Sequence, residues 1–198
     1  HEHFRKFNGL TPVAYRELSA EKTFELVLPA GYSLGYLRRA LSRDIHSLTE
    51  RLEGDLYTTA VLLGTGPAIL TMKLEPKSVR VVVKNAPGAS STVIPNTRTI
   101  LPSATEAHAI AVGLLGLDQD AAAFARLAKR LGLTRLTAGR NELRISQTHS
   151  VYEGLLWSII GQQINFAFAC LLRRRLVERA GEPLGNGLHA PPTPQAVA

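Results

Sequence analysis

The apolar residues of this chain change period partway along it, and that change limits the architectures open to it. Up to Lys84 they mostly alternate. Phe24-Glu25-Leu26-Val27-Leu28 reads as a strand closed by Pro29-Ala30-Gly31, and strand-like runs follow at Leu56 to Leu63, Ala68 to Glu75 and Val79 to Lys84. Gly64-Thr65-Gly66-Pro67 and Pro76-Lys77 between these runs have turn composition. In the middle run Ala68, Leu70, Met72 and Leu74 share one face, and Thr71, Lys73 and Glu75 the other. This predicts an antiparallel meander with one wet face, packed against a helix. Leu34 to Leu41 reads as a short helix with Arg38 and Arg39 outward. From Ser103 the spacing becomes helical. A capping box, Ser103-Ala104-Thr105-Glu106, opens a helix running to about Leu117. A second helix is expected from Asp118, as cap, to Gly132, with Ala122, Leu127 and Leu131 inward. Asn85 to Leu101, with its Pro, Gly and Ser pairs, is a linker or an irregular strand. The expected class is α+β: a small antiparallel sheet, then an all-helical region.

The stretch Val151 to Ala180 predicts two amphipathic helices in one core, carried by Val151, Leu155 and Ile159 and then by Ile164, Ala167, Leu171 and Leu172. Gly161, Gln162 and Gln163 interrupt them. Glycine weakens a helix, and two amides at an interhelical corner have no core to fill, so an external partner is one reading and a plain capped junction the other. Arg173-Arg174-Arg175 is the densest basic run, and a helix can point at most two of the three the same way.

The run Leu156-Trp157-Ser158-Ile159-Ile160-Gly161-Gln162-Gln163-Ile164, with an Ala-containing helix after it, resembles the opening of the catalytic domain of helix-hairpin-helix DNA glycosylases. The nearest branch is bacterial 3-methyladenine DNA glycosylase II, which Pro192-Thr193-Pro194-Gln195 also resembles. The resemblance implies base-excision repair of alkylated DNA without a cofactor or a metal. The corner would face the minor groove, Gln163 would enter the space left by the flipped nucleotide, and Gln162, Arg173 and Arg174 would join it in binding DNA. It also implies that the sheet is the family's N-terminal domain, likened to half of the TATA-binding protein. In that domain the segment matching 34–44 supplies an aromatic to the base pocket. Ala40 holds that place here, with Tyr36 or Tyr32 as substitutes, and either Tyr has an equal alternative role packing on the sheet. The family's catalytic Asp and its Leu-Pro-Gly-type hairpin follow the segment represented here. Neither occurs before Ala198, so a truncated chain, inactive alone and prone to self-association through its last helices, is expected.

At the other end, Gly9-Leu10-Thr11-Pro12-Val13-Ala14-Tyr15-Arg16 reads as a helix stop, an N-cap and a helix-starting Pro. It resembles the tail of the second helix-turn-helix of AraC-type regulators, as in Ada-type fusions. Three segments follow from these resemblances: 1–20 as the remnant of that module, 21–98 as the α+β domain, and 99–198 as the first part of a helical domain. A non-catalytic DNA-binding or regulatory fragment, and an unrelated α+β fold with a coincidental corner, are the other hypotheses.

Composition narrows the classes. A 45% hydrophobic and 20% charged make-up is that of an ordinary soluble domain, and no apolar run has the length of a bilayer span. With no signal-peptide pattern in evidence, a cytoplasmic setting is expected. One cysteine, Cys170, leaves no disulfide or zinc framework within the chain and reads as a buried, inert thiol. A metal role for His1 and His3 is disfavoured, since a chain terminus offers no preorganised site. The net charge of +7 suits a polyanionic partner, because cations placed on phosphates release counterions. Arg135, Arg140 and Arg144 read as a solvated face in preference to a phosphate-facing group. Glycosidic cleavage needs a carboxylate for an oxocarbenium-like sugar. Glu153 and Glu178 are available, but their helical positions suggest surface salt bridges.

Overall fold

The computed structural model describes residues 2–18, 22–86, 103–140 and 142–198. The expectations for His1, for the His3 side chain, for the capping role of Ser103 and for most of the 85–101 stretch lie outside the described residues. Strands β1 (Thr23–Val27), β2 (Glu50–Glu53), β3 (Leu56–Leu63), β4 (Gly66–Leu74) and β5 (Ser78–Asn85) form one sheet in the order β1-β5-β4-β3-β2, every neighbour antiparallel. Only β2 was not anticipated. Its sequence Glu50-Arg51-Leu52-Glu53 carries no clear apolar alternation, and pairing with β3 makes it a strand.

Alternation fixes which face is inward. Ala68, Leu70, Met72 and Leu74 are essentially inaccessible, as are Val79 and Val81. Over them lie helix α3 (Leu34–Leu41), through Leu37 and Leu41, and helix α4 (Ser103–Leu115), through Ala107, Ala111 and Leu115. Burying each large aliphatic side chain contributes roughly 1.5–3 kcal/mol. Glu106 does more than open α4: its Oε2 accepts a bond from the Gly64 amide at 2.6 Å, tying the β3–β4 turn to the helix. A Cβ on Gly64 would lie 2.9 Å from that carboxylate, so a larger residue there would push the Glu106 side chain aside.

Helices α1 (Glu2–Asn8) and α2 (Pro12–Glu17) meet the same core, since Leu10 and Leu18 are buried in it and the Val27 amide donates to the Gly9 carbonyl. Thr11 caps α2 as expected, accepting from the Ala14 amide. His108 of α4 is 2% exposed, in edge contact with Tyr15 and hydrogen-bonded through Nε2 to the Asn8 carbonyl; burial lowers its pKa.

Helix α5 (Ala121–Arg130) differs from expectation. Its cap is Asp120, whose side chain accepts from the Ala123 amide, and its inward residues are Ala121 and Ala128. Leu127 and Leu131 are 41% and 60% exposed, because the helix turns only its small residues to the neighbouring chain. Arg144 is not a solvated side chain either. It is 6% exposed and donates to the Gly116 and Gln119 carbonyls, satisfying the open end of the α4–α5 connection. Helices α6 (Val151–Ile160) and α7 (Phe166–Ala180) form the pair anticipated, followed by a β6 (Pro183–Gly185) and β7 (Leu188–His189) hairpin and a final turn, α8 (Pro194–Val197). Among the described residues no helix is long and apolar enough to cross a membrane.

Candidate functional site

The corner between α6 and α7 runs from Gly161, the C-cap of α6, to Asn165, the N-cap of α7. Ser150 opens α6 by accepting from the Glu153 amide, and Asn165 opens α7 by accepting from the Phe168 amide at 2.9 Å. Between them the backbone turns through Gln163, which has a left-handed φ of 59°. Gly161, Gln162 and Gln163 are all exposed. The two amides fill no internal space.

Beside the corner a cleft of about 460 Å³ opens between the end of α3, the start of β2 and the α6–α7 pair. Ala40, Arg43, Glu50, His149, Trp157 and Phe166 are among the residues that line it, together with Gly161 of the corner. Trp157 and Phe166 stack with ring centroids 6.0 Å apart and planes within 8°. Of the residues assigned to a base pocket, the structure brings Ala40 to this wall. Tyr36 is half-buried on α3 and does not line the cleft, and Tyr32 donates its hydroxyl to the Leu115 carbonyl at 2.7 Å.

Beneath the aromatic pair lies a charged network that joins sheet to helices. Glu153 is 6% exposed and paired with the Arg173 guanidinium, itself 3% exposed, which also donates to Thr49 Oγ1 at 3.0 Å. His149 Nδ1 stands 2.8 Å from Glu153 Oε2 in an ion-pair contact that is off the line of a hydrogen bond. Its Nε2 lies 3.0 Å from Thr59 Oγ1 of β3. The Tyr57 hydroxyl donates to Glu50. Burial alone would raise the Glu153 pKa, but His149 and Arg173 outweigh it and hold the carboxyl at about 2. Burial would lower the His149 pKa, yet the charges of Glu153 and Glu50 raise it above the usual histidine value against Arg173. Buried Cys170, near Asp44, has its thiol pKa raised by that burial, so the thiol stays protonated and inert.

Two sequence readings are corrected here. Glu153 forms a buried pair and not a surface salt bridge, because α6 turns that residue toward the sheet. Arg173, expected to face DNA, is committed to Glu153 and Thr49. Arg174 beside it is half-buried and Arg175 exposed. The same orientation of α6 leaves Val151, Leu155 and Ile159 82%, 57% and 66% exposed; their helical spacing pointed to a core, while truncation was expected to leave Leu155 and Ile159 uncovered. Trp157, Phe166 and His149 were not singled out from sequence. The i,i+4 spacing of His149 and Glu153 around the Ser150 cap was the available signal. No group of three or more His, Cys, Asp or Glu side chains is placed to hold a metal ion among the described residues.

The fold has a known counterpart. The chain superposes on the 3-methyladenine DNA-glycosylase from Archaeoglobus fulgidus with a TM-score of 0.65, at 20% identity, over 88% of this chain and 57% of that one. This likeness defines the fold. In sequence the chain is similar to the DNA-3-methyladenine glycosylase of Bacillus subtilis (strain 168), 36% identical over 69 residues, which are 34% of this chain and 23% of that protein. It thus spans little over half of the one and under a quarter of the other. No protein-family model matches the chain.

Proposed function

We propose that this chain is part of a cytoplasmic base-excision DNA glycosylase acting on duplex DNA with alkylated bases, and that it supplies the corner that enters the opened duplex and one wall of the base pocket. The observation that carries this reading is the juxtaposition of the Trp157–Phe166 wall with the exposed Gly161-Gln162-Gln163 corner. A base taken out of the stack needs a flat, electron-rich receptor, and the gap it leaves needs a filler. In this reading Gln163 is the wedge, Gln162 and Arg174 support it against the backbone, Arg173 holds α6 and α7 in place, and Ala40 with Tyr36 nearby bounds the pocket. Residues 21–98 and 99–198 are the two successive parts of the glycosylase fold, and 1–20 is the end of a preceding helix-turn-helix module.

Carboxylates of the cleft are already engaged: Glu153 by Arg173, Glu50 by Tyr57, and Asp44 by the His46 amide at 3.1 Å. In this reading none of these three is the group that stabilises the oxocarbenium-like sugar.

Binding of an abasic-site duplex, compared with an undamaged one, is the test. Gln163→Ala is expected to weaken abasic-site binding severalfold while leaving thermal stability nearly unchanged, because an exposed amide contributes roughly 0.5 kcal/mol or less. Unfolding of the variant with DNA affinity spared would make the amide a structural cap and remove the wedge. Free-base release from alkylated duplex by the chain alone, at the rate of a complete glycosylase, would show that the missing carboxylate is among its own residues.

A further inference from the structure

Helix α4 is buried on nearly every side: of its described side chains only Ala109 is exposed. A helix with no wet face is held between partners, and α4 has different partners along its length. Around His108 the partner is the α1–α2 pair. His108 Nε2 donates to the Asn8 carbonyl at 2.8 Å, since a carbonyl can only accept, and the ring meets Tyr15 edge-on at 5.1 Å. Tyr15 in turn meets Phe4. Gly9, in the turn between α1 and α2, sits so close that a Cβ there would come within 3.1 Å of Leu26 and 3.2 Å of Leu117. Leu10 and Leu18 are buried, while Arg5, Lys6, Arg16 and Glu17 are exposed. The α1–α2 pair thus spends its apolar side on this core.

About 9 Å further along α4, at a helix's rise per residue, Leu114 is buried and lines the cleft beside the corner. There the Gly113 carbonyl accepts from the Gln147 amide at 3.1 Å, and the Gln147 side chain donates to both Asp118 oxygens at 3.1 and 3.0 Å. Gln147 lines the cleft together with Ser146, Thr148 and His149. One helix therefore carries both the seat of α1–α2 and the strap of a cleft wall. Close-packed helices shift as units, so a displacement at His108 is not absorbed before Leu114. We propose that the His108 face of α4 is the docking surface for a helix-turn-helix tail, and that α4 transmits the seating of this tail to the cleft. An unseated tail then leaves the cleft wall loose and weakens the hold on an opened duplex. This rests on the readings of 1–20 as such a tail and of the cleft as a base pocket.

Residue-resolved amide exchange and binding of an abasic-site duplex test this on the whole chain. The variants are His108→Ala, His108→Gln and, as a control on the exposed side of α2, Val13→Ala. The Val27 amide, which donates to the Gly9 carbonyl, reports the seat, and the Gln147 amide reports the cleft wall. His108→Ala leaves the Asn8 carbonyl without its donor and is expected to speed exchange at Val27 roughly tenfold. Gln147 is expected to speed up by the same factor, and the Phe168 amide at the corner to keep its wild-type rate. His108→Gln, whose amide can donate to the same carbonyl, recovers most of the protection, and Val13→Ala matches wild type. Affinity for the duplex is expected to fall about fivefold in His108→Ala and to return in His108→Gln. Where His108→Ala does not fold, Tyr15→Leu, which removes only the ring contact, carries the same comparison. Faster exchange at Val27 with Gln147 unchanged overturns the transmission. An unchanged rate at Val27 overturns the docking surface as well. A wild-type chain that binds no abasic duplex removes the reading of the cleft, and the exchange rates alone then uphold or overturn the transmission.

Discussion

Gln163 holds a left-handed backbone conformation that, among the described non-glycine residues, it shares only with Asn186 in the β6–β7 turn. Such a conformation crowds a Cβ against the following carbonyl and costs an L-residue on the order of 1 kcal/mol. A glycine would remove that cost, so the presence of a long amide at this position asks for another reason. Gln163→Gly is therefore expected to stabilise the chain by about 1 kcal/mol in urea unfolding while reducing affinity for an abasic-site duplex. A variant that gains no stability would show that the strain is relieved elsewhere in the corner. One that gains stability and keeps its affinity would remove the wedge role. The amide pair was visible in the sequence as a polar joint. The left-handed turn was not, because Gln carries no local preference for it.

Helix α6 separates element from environment. Its capping by Ser150 and its end before Gly161 follow from local chemistry. Its rotation does not: Val151, Leu155 and Ile159 recur at spacings of four and were assigned to the core, yet the helix presents Glu153 inward and this stripe outward. We propose that the stripe drives self-association of the chain. Concentration-dependent sedimentation is expected for the wild type and a monodisperse monomer for Leu155→Lys/Ile159→Lys. The unfolding free energy of the double variant should stay within about 1 kcal/mol of wild type, because both positions are largely exposed. Unchanged association in the double variant would place the contact on another surface, with the exposed Phe124, Leu131 and Leu136 of the α5 region the next to examine.

At the scale of the whole molecule, the change from alternating period before Lys84 to helical period after Ser103 marks a change of element type and not a break in packing, since α4 shares its core with the sheet. Beyond α4, the Glu153–Arg173–His149 network with Thr49 and Thr59 carries the join to α6 and α7. Glu153 has its folded pKa depressed to about 2 from 4.5, so its contribution is complete above about pH 4.5 and is lost as pH falls toward 2. The raised pKa of His149 acts from the other side: its share is full below 6.5 and lost as pH rises through the folded value. Glu153→Gln leaves the Arg173 guanidinium buried without its counter-charge. It is expected to cost roughly 3–5 kcal/mol at neutral pH and to flatten the acid limb between about pH 4.5 and 2, both read from urea unfolding at a series of pH values. An acid limb as steep in the variant as in the wild type would assign it to other carboxylates.

What the sequence determined by itself was local. Period-two runs set β3, β4 and β5 nearly to the residue, since their side chains alternate between a core and a wet face. Cap chemistry set α2, and Gly161 marked where α6 stops. The tertiary structure decided everything that depends on what a face meets. It made Glu50–Glu53 a strand by pairing, buried Arg144 on two carbonyls, and turned α6 so that a carboxylate rather than a leucine points inward. It also brought Ala40 and Arg43 from one side and Trp157 and Phe166 from the other into a single cleft. Periodicity shows that a helix has two faces. Only the partner's shape and charge select which of them is buried, and that selection placed the site.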